Sequence, residues 1–509
     1  MEKYILSTKT KWTFLAILVI LVAHSIFLSS SFYYNAVDDA YISFRYAKNL
    51  VDGNGIVYNP GERVEGYTNF LWVIIMALFM RLGISDIAFL SIWLGITISV
   101  GTIVILYKLS TLITRESDFF KISAPLFLVV DSSFVFWTVS GLETQLFTFL
   151  ILTGGYAYIR EIKKGGPYFS PLLFGLSSLT RPEGVLLFAG TILHQIILFS
   201  ASKRRIKDIL IWALFFLLIF LSYYLWRYNY YGYPLPNTFY AKVGSGWPQY
   251  LRGLQYAQRF VSARYFIVFL PFILLLTKRR KEEWFSYSLL IVSLYTLYII
   301  GVGGDWPIGY RFFVPILPFI YLMAQEGLKE GYRYCFQKKS FEKKKGMQRK
   351  EKIARLEDKH PFALYSLTLI LATGIFIGTI KKGEYSLCII PFRELDKARI
   401  ATGKWLKMYA PKDSVIAVGG AGSTPYYSEL KTIDMFGMND LHIAHLKSEM
   451  GKGAAGHEKS DMAYVYSRRP DFIIGVGQDS GEGDAYYKVL REGVPEEVAR
   501  YMTIYKRRF

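Results

Sequence analysis

The sequence predicts a polytopic α-helical membrane protein that carries a small α/β domain at its C-terminal end. Three observations carry that expectation. Of 509 residues, 52% are hydrophobic and 17% aromatic, which is too apolar for an ordinary soluble domain. Apolar runs of bilayer-spanning length recur along the first three quarters of the chain. Beyond about residue 385 no long apolar run remains, and short β-rich pieces alternate with helical ones. Few of the apolar runs alternate at period two, so a β-barrel is not expected.

The hydrophobic segments fall at 12–31, 68–82, 86–108, 121–138, 142–159, 168–179, 184–200, 207–227, 263–277, 284–301, 308–325 and 361–380. Several are short, as in bundles whose helices break around a cavity. The first follows Lys3, Lys9 and Lys11 and reads as a retained signal anchor, because no small-residue cleavage pattern follows it. Lys/Arg bias keeps the N-terminus, 202–208, 278–281 and 337–360 inside. It places 35–69, 228–261, 303–310 and everything after 380 outside. An inside start and an outside end require an odd number of crossings, so about 11–12 segments are expected, with one between 68 and 138 re-entrant or merged. The division follows: a transmembrane part, 1–384, with an outer loop at 35–69 and a basic cytoplasmic loop at 337–360, then an extracytoplasmic α/β domain at 385–509. In that last part 414–418, 432–435 and 470–476 read as strands and 397–409 as a helix.

The formal net charge is +20. The basic residues cluster in short loops between spans, which suits contact with the lipid bilayer and not with nucleic acid. Loop 337–360 holds ten Lys/Arg against four Asp/Glu and reads as a solvated run. The two cysteines, Cys335 and Cys388, are separated by that loop and another span, so no disulfide framework is expected.

Ionisable groups crowd the boundaries of the spans on one predicted face, where they are costly unless used or paired. Asp38 and Asp39 open a short helix. One carboxylate there suits capping, but two suit sugar transfer, which needs a base for the acceptor hydroxyl or a stabiliser for positive charge on the ring. Arg45 and Lys48 lie three apart on one helical face, fit either for a donor phosphate or for anionic head groups. Glu62, Arg63, Glu65, Tyr67 and Asn69 form a polar knot before the next span. Glu143 starts a helix in SGLET, and Arg181 and Glu183 flank Pro182 in TRPEG. Asn237, Tyr240 and Lys242 sit in the aromatic loop GYPLPNTFYAK, and Asp305 and Arg311 lie in GGDWPIGYR. GGAGS at 419–423 does not match a dinucleotide-binding loop. His442, His445 and His457 lack metal-ligand spacing, so no protein-bound metal is assigned.

In order along the chain, VDDAYISFRYAKNLVDGNGIVYNPGERVEGYTNFLW, SGLET, TRPEG, GYPLPNTFYAK, GGDWPIGYRFFVPILP, DMFGMND, GHEK and SRRPDFI resemble the GT-C membrane glycosyltransferases. Within them the resemblance is to the mycobacterial terminal β-(1→2)-arabinofuranosyltransferase and its bacterial relatives. It implies a GT-C-like bundle in the plasma membrane with its active site on the outer face, a polyprenyl-phosphate sugar donor and a cell-envelope glycan acceptor. Asp38 or Asp39 is then the catalytic carboxylate, and some of Arg45, Lys48, Arg181, Lys242 and Arg311 hold the phosphate. The C-terminal domain helps bind the acceptor. No protein-held cofactor is required, a divalent ion bridging Asp39 and the phosphate being the alternative. The rival readings are a transporter or flippase of a lipid-linked or anionic substrate, and a scaffold that binds wall polymers.

Overall fold

In the computed structural model, residues 36–114, 118–164, 168–200, 206–244, 246–305, 308–341, 361–382, 385–475, 486–488 and 502–507 are described, with scattered positions in 12–23. Most of the expected signal anchor, the loop 342–360 and the side chains of both cysteines lie outside them.

Each remaining predicted segment is helical. The first helix, α1 (Asp38–Val51), is amphipathic and lies across one end of the bundle. It is followed by α2 (Phe70–Arg81), α3 (Ile87–Ile113), α4 (Asp118–Val130), α5 (Ser132–Thr138) and α6 (Thr144–Lys164). Next come α7 (Ser170–Thr180), α8 (Glu183–Ser200), α9 (Ile206–Tyr231) and two helices of an outer loop, α10 (Asn237–Lys242) and α11 (Trp247–Ala263). A 3₁₀ stretch, Tyr265–Leu276, precedes α12 (Glu283–Gly301), α13 (Leu317–Phe341), α14 (Pro361–Lys382) and α15 (Tyr385–Tyr409). Helix α13 therefore runs into the stretch expected as the loop 337–360, and α15 starts well before the expected 397.

Among the described residues, α3, α8, α9 and α12 are long and apolar enough to cross a membrane, and two bent pairs bring the number to six if each is one span. The predicted segment 121–138 is one such pair, bent by 65° at Asp131. Helix α2 rises only about 18 Å, short of a bilayer core of about 30 Å. Helix α9 leaves Leu210, Leu214, Leu218, Leu221 and Leu225 exposed along its length, a face that suits lipid and not water. The chain is a multi-pass membrane protein.

Packing uses small residues and internal hydroxyl bonds. A Cβ on Gly95 would lie 2.2 Å from the Thr138 carbonyl oxygen, so α3 can meet α5 only through a glycine. Ser99 Oγ and Thr138 Oγ1 bond across that contact at 2.9 Å. The two chain breaks, at Asp131 and at Arg264, are clipped together. Arg264 donates to Asp131 from Nε at 2.8 Å and from Nη2 at 2.9 Å, and both side chains are fully enclosed. Tyr321 of α13 donates to Asp131 at 2.5 Å, and the Arg264 guanidinium lies 3.9 Å from the Phe260 ring.

At the far end of the bundle Glu326 accepts from Thr114, and Arg279 and Lys329 approach it at 3.3 and 3.5 Å. Charges expected mainly at one face thus also occur inside the bundle, in paired form.

The C-terminal part forms a five-stranded sheet of β1 (Val415–Val418), β2 (Lys431–Asp434), β3 (Phe472–Ile474), β4 (Tyr486–Lys488) and β5 (Ile504–Arg507), in the order β2-β1-β3-β5-β4. Strands β1, β2 and β3 are mutually parallel, and β5 runs antiparallel to β3 and β4. The side-chain period of two divides its faces. Ile416, Val418, Phe472 and Ile474 join a core with Tyr41, Phe44, Trp72 and Leu406, whereas Ala417, Ile433 and Ile473 pack with Ile443 and Val465. One face of the sheet therefore shares its hydrophobic core with α1 and α2.

Replacing Asp131 alone with Ala strands a fully enclosed arginine and is expected to destabilise the protein by about 3–5 kcal/mol, read as unfolding in detergent. An apolar double replacement, Asp131→Leu with Arg264→Met, should cost far less. A single replacement that costs under about 1 kcal/mol contradicts the clip.

Candidate functional site

Helix α1 begins with two acids that the helical turn sends in different directions, successive side chains differing by roughly 100°. Both lie in the first turn, where negative charge suits the helix dipole. Neither caps the helix: the N-cap is Val37. Asp38 turns inward and is taken up by the C-terminal part. It accepts from Gly422 N at 3.2 Å, Ser423 N at 2.8 Å and Ser423 Oγ at 2.6 Å. A Cβ on Gly422 would lie 1.9 Å from the Asp38 carbonyl oxygen, so this approach requires glycine. The GGAGS loop thus holds a carboxylate. Asp38 thus docks α1 on the C-terminal part.

Asp39 turns outward, with its side chain 51% exposed, and lies 4.0 Å from Arg311 Nη1. Arg311 also meets Asp305 at 3.0 Å and lies 5.4 Å from the Trp137 ring. This brings three predicted site residues, Asp39, Asp305 and Arg311, into one constellation. Beneath it runs a buried network. Arg181 reaches Glu143 at 2.6 Å and Glu183 at 2.8 Å, Asn69 donates to Glu143 at 2.7 Å, and Ser43 of α1 exchanges bonds with Asn69. Arg181, Glu143, Glu183 and Asn69 hold one another under the opening. The donors of Arg181 are all engaged by Glu143 and Glu183.

Other predicted contacts are used structurally. Arg45 is buried and donates to four oxygens, on Tyr58, Pro425, Asn59 and Leu430, so it is not free for a phosphate. Lys48, about one turn further along α1, pairs with Asp52 at 3.0 Å and Glu429 at 3.3 Å. Glu65 pairs with Arg227 at 2.6 Å, and Tyr67 accepts from Tyr231. Asn237 donates to the carbonyls of Gly437, Met438 and Asp440. Tyr240 stacks on His445 with centroids 4.4 Å apart. Lys242 lies against Gly456. Seven of the predicted substrate contacts therefore hold the C-terminal part and the loops together, and the sequence could not show this because their partners lie far along the chain.

Two residues went unrecognised. Arg399 Nη1 lies 3.7 Å from Asp38 and 3.0 Å from Asp396, three residues before it on α15. A Cβ on Gly420 would lie 2.7 Å from Arg399 Nε, so the GGAGS loop leaves room for the guanidinium. The signal was an acid and a base at helical spacing, with the expected helix start at 397 placed one residue too late to include Asp396. Burial pushes the Asp396 carboxyl up to about 7, the neighbouring Asp38 adds to this, and Arg399 opposes it. Among the described residues no three His, Cys, Asp or Glu side chains converge as metal ligands would, and Asp39 and Asp305 both face Arg311. These residues do not fit a protein-held divalent ion.

A separate groove of about 700 Å³ opens between the 62–64 loop and the C-terminal part, lined among others by Arg63, Tyr233, Asp440, His442, Tyr464 and Arg468. His442 stacks on Tyr464 at 4.1 Å and bonds Asp461 at 3.0 Å.

Comparison with known proteins bears on this arrangement. Residues 392–505 match a family described as a domain of unknown function (DUF8728). The chain is 27% identical over 329 residues to the terminal β-(1→2)-arabinofuranosyltransferase of Corynebacterium glutamicum, covering 53% of this chain and 45% of that protein. It is 26% identical over 269 residues to the enzyme of the same name from Mycobacterium tuberculosis, covering 48% and 42%. The chain thus spans about half the length of the curated relatives it matches. The crystal structure of ArnT from Cupriavidus metallidurans bound to undecaprenyl phosphate superposes with a TM-score of 0.61 over 98% of both chains at 11% identity, and the apo form with 0.57 at 13%. The fold is the GT-C fold of ArnT.

The pH dependence of docking follows from Asp396. The folded protein keeps this proton to about pH 7, whereas an unfolded chain loses it near roughly pH 4. The folded state binds more protons in that window, so this contribution is full at low pH and is lost as pH rises through 7. Asp396→Asn should flatten that part of the stability profile, measured by thermal unfolding from pH 4 to 8. An unchanged slope contradicts the assignment.

Proposed function

We propose that the chain is a membrane glycosyltransferase that moves a sugar, arabinofuranose or a similar one, from a polyprenyl-phosphate donor to a cell-envelope glycan acceptor. The reading rests on one observation above the rest: Asp39 is a half-exposed carboxylate facing a cation at the end of the bundle that carries the sheet. The likeness to the two arabinofuranosyltransferases supports the reaction class, and the ArnT fold supports a lipid-phosphate donor. The active site and the C-terminal part lie on the extracytoplasmic side in this reading, as the Lys/Arg bias of the loops indicates.

In the reaction Asp39 takes the proton of the acceptor hydroxyl, whose oxygen attacks the anomeric carbon. The bond from that carbon to the phosphate oxygen breaks, and polyprenyl phosphate leaves with inversion at the sugar. Arg311 meets the charge growing on the leaving phosphate. The groove between the 62–64 loop and the C-terminal part receives the acceptor glycan. Its stacked rings and forked polar groups suit a sugar's alternating apolar faces and hydroxyls. A transporter would need charges exposed along a path through the bundle, and among the described residues Asp131, Arg264, Glu326 and Lys329 are paired there.

The test uses a synthetic polyprenyl-phosphate sugar and an oligosaccharide acceptor. Asp39→Asn should lower turnover by about 10²–10⁴-fold, the usual worth of a positioned base. Turnover close to that of the unaltered chain would sink the assignment. Mass spectrometry of the envelope glycan from a strain lacking the chain names the sugar.

A further inference from the structure

We infer that Arg399, a residue of the C-terminal part, is a ligand for the phosphate group of the donor lipid, so that the site is complete only when that part is docked. The inference rests on the glycosyltransferase reading and names one of its binding residues. Cations near Asp39 differ in how fully the protein already occupies them. Both forks of Arg181 bind carboxylates, and Arg311 divides itself between Asp305 and Asp39. Arg399 is different. Its contacts with Asp396 and Asp38 both run through Nη1, at 3.0 and 3.7 Å, and its Nε, Cζ and Nη2 lie over Gly420, where there is no side chain to bond them. Nη2 has no partner among the described residues. The side chain is 21% exposed, and the guanidinium is held by two carboxylates at Nη1 while its Nε–Nη2 edge keeps unused donors beside the Gly420 loop.

A guanidinium with one free edge is suited to a phosphate, which takes two parallel N–H bonds from the fork. Position also favours it. Asp38 lies 3.7 Å from Arg399 and its neighbour Asp39 lies 4.0 Å from Arg311, so the two adjacent acids of α1 link guanidinium groups from two parts of the chain. A phosphate bridging Arg311 and Arg399 would set the sugar carbon beside Asp39. Gly420 and Gly422 serve this geometry: the first makes room for the guanidinium, the second lets the loop close on Asp38.

The shared chemistry is a phosphate group, and three sources are separable. Binding of undecaprenyl phosphate to the full chain in phosphatidylcholine nanodiscs is measured by native mass spectrometry, with undecaprenol as the uncharged control. Arg399→Gln should weaken undecaprenyl phosphate binding at least tenfold and leave undecaprenol binding unchanged. Arg399→Lys should keep part of the affinity, as a point charge without the fork. Thr424→Val removes the bond that Thr424 Oγ1 donates to the Arg399 carbonyl at 2.9 Å, a contact inside the C-terminal part that leaves both the guanidinium and the docking bonds to α1 in place. It should bind close to normally. Equal losses in Thr424→Val and Arg399→Gln, or an Arg399→Gln chain that binds as the unaltered one does, would overturn the inference. So would an unaltered chain that does not distinguish undecaprenyl phosphate from undecaprenol. Competition by inorganic phosphate supports a phosphate site. Equal competition by added phosphatidylglycerol assigns the guanidinium to bulk head groups and overturns the donor assignment. If phosphate binding follows Arg399 while no sugar is transferred, the proposed reaction fails and the binding site stands.

Discussion

Three hydrogen bonds converge on the carboxylate of Asp38, all from the Gly422–Ser423 corner of the C-terminal part. They fix α1 against the sheet at its first turn. Because α1 is a rigid helix, the same contact aims its next residue, Asp39, away from the sheet and towards Arg311. Charge-assisted bonds to a buried carboxylate are among the stronger local contacts available to a protein, and removing the partners would leave a buried charge unmet. Arg45, two turns further along α1, repeats the same arrangement with opposite charge by donating to the carbonyls of Pro425 and Leu430. One acid and one base on a single helix thus dock it at two points, with Tyr41 and Phe44 filling the apolar ground between.

Below this junction the bundle solves a different problem. Hydrocarbon offers nothing to an unpaired charge, so each enclosed ion must find its counterpart inside the protein. Asp131 and Arg264 do so at the points where two helical segments break, and each supplies what the other's break exposes. Glu143, Arg181 and Glu183 form a second closed set directly under the opening. The supporting set is saturated, and the groups above it are not. That contrast separates side chains that hold the site from those with capacity left for a substrate.

The sequence made the helices legible because bilayer length and apolarity are local properties. It also made the strands 414–418, 432–435 and 470–476 legible, close to the observed β1, β2 and β3. The pair Arg181–Glu183 could be read because its members are two apart. What could not be read were contacts across the chain. Asp38 meets Ser423 at a separation of 385 residues, and Arg45 meets Pro425 at 380. From the sequence alone, an arginine three residues from a lysine looks like a phosphate clamp. Folding spends Arg45 on backbone carbonyls and Lys48 on surface carboxylates. GGAGS matches no nucleotide-binding pattern, and its glycines serve Asp38 and Arg399.

A cryo-electron-microscopy map of the full chain in a nanodisc with undecaprenyl phosphate tests the central claim most directly. The account predicts the phosphate at the sheet end of the bundle, bonded to Arg311 or Arg399 with Asp39 on its sugar-facing side. A phosphate seated at the far end against Arg279 and Lys329, with Asp39 unapproached, would contradict it.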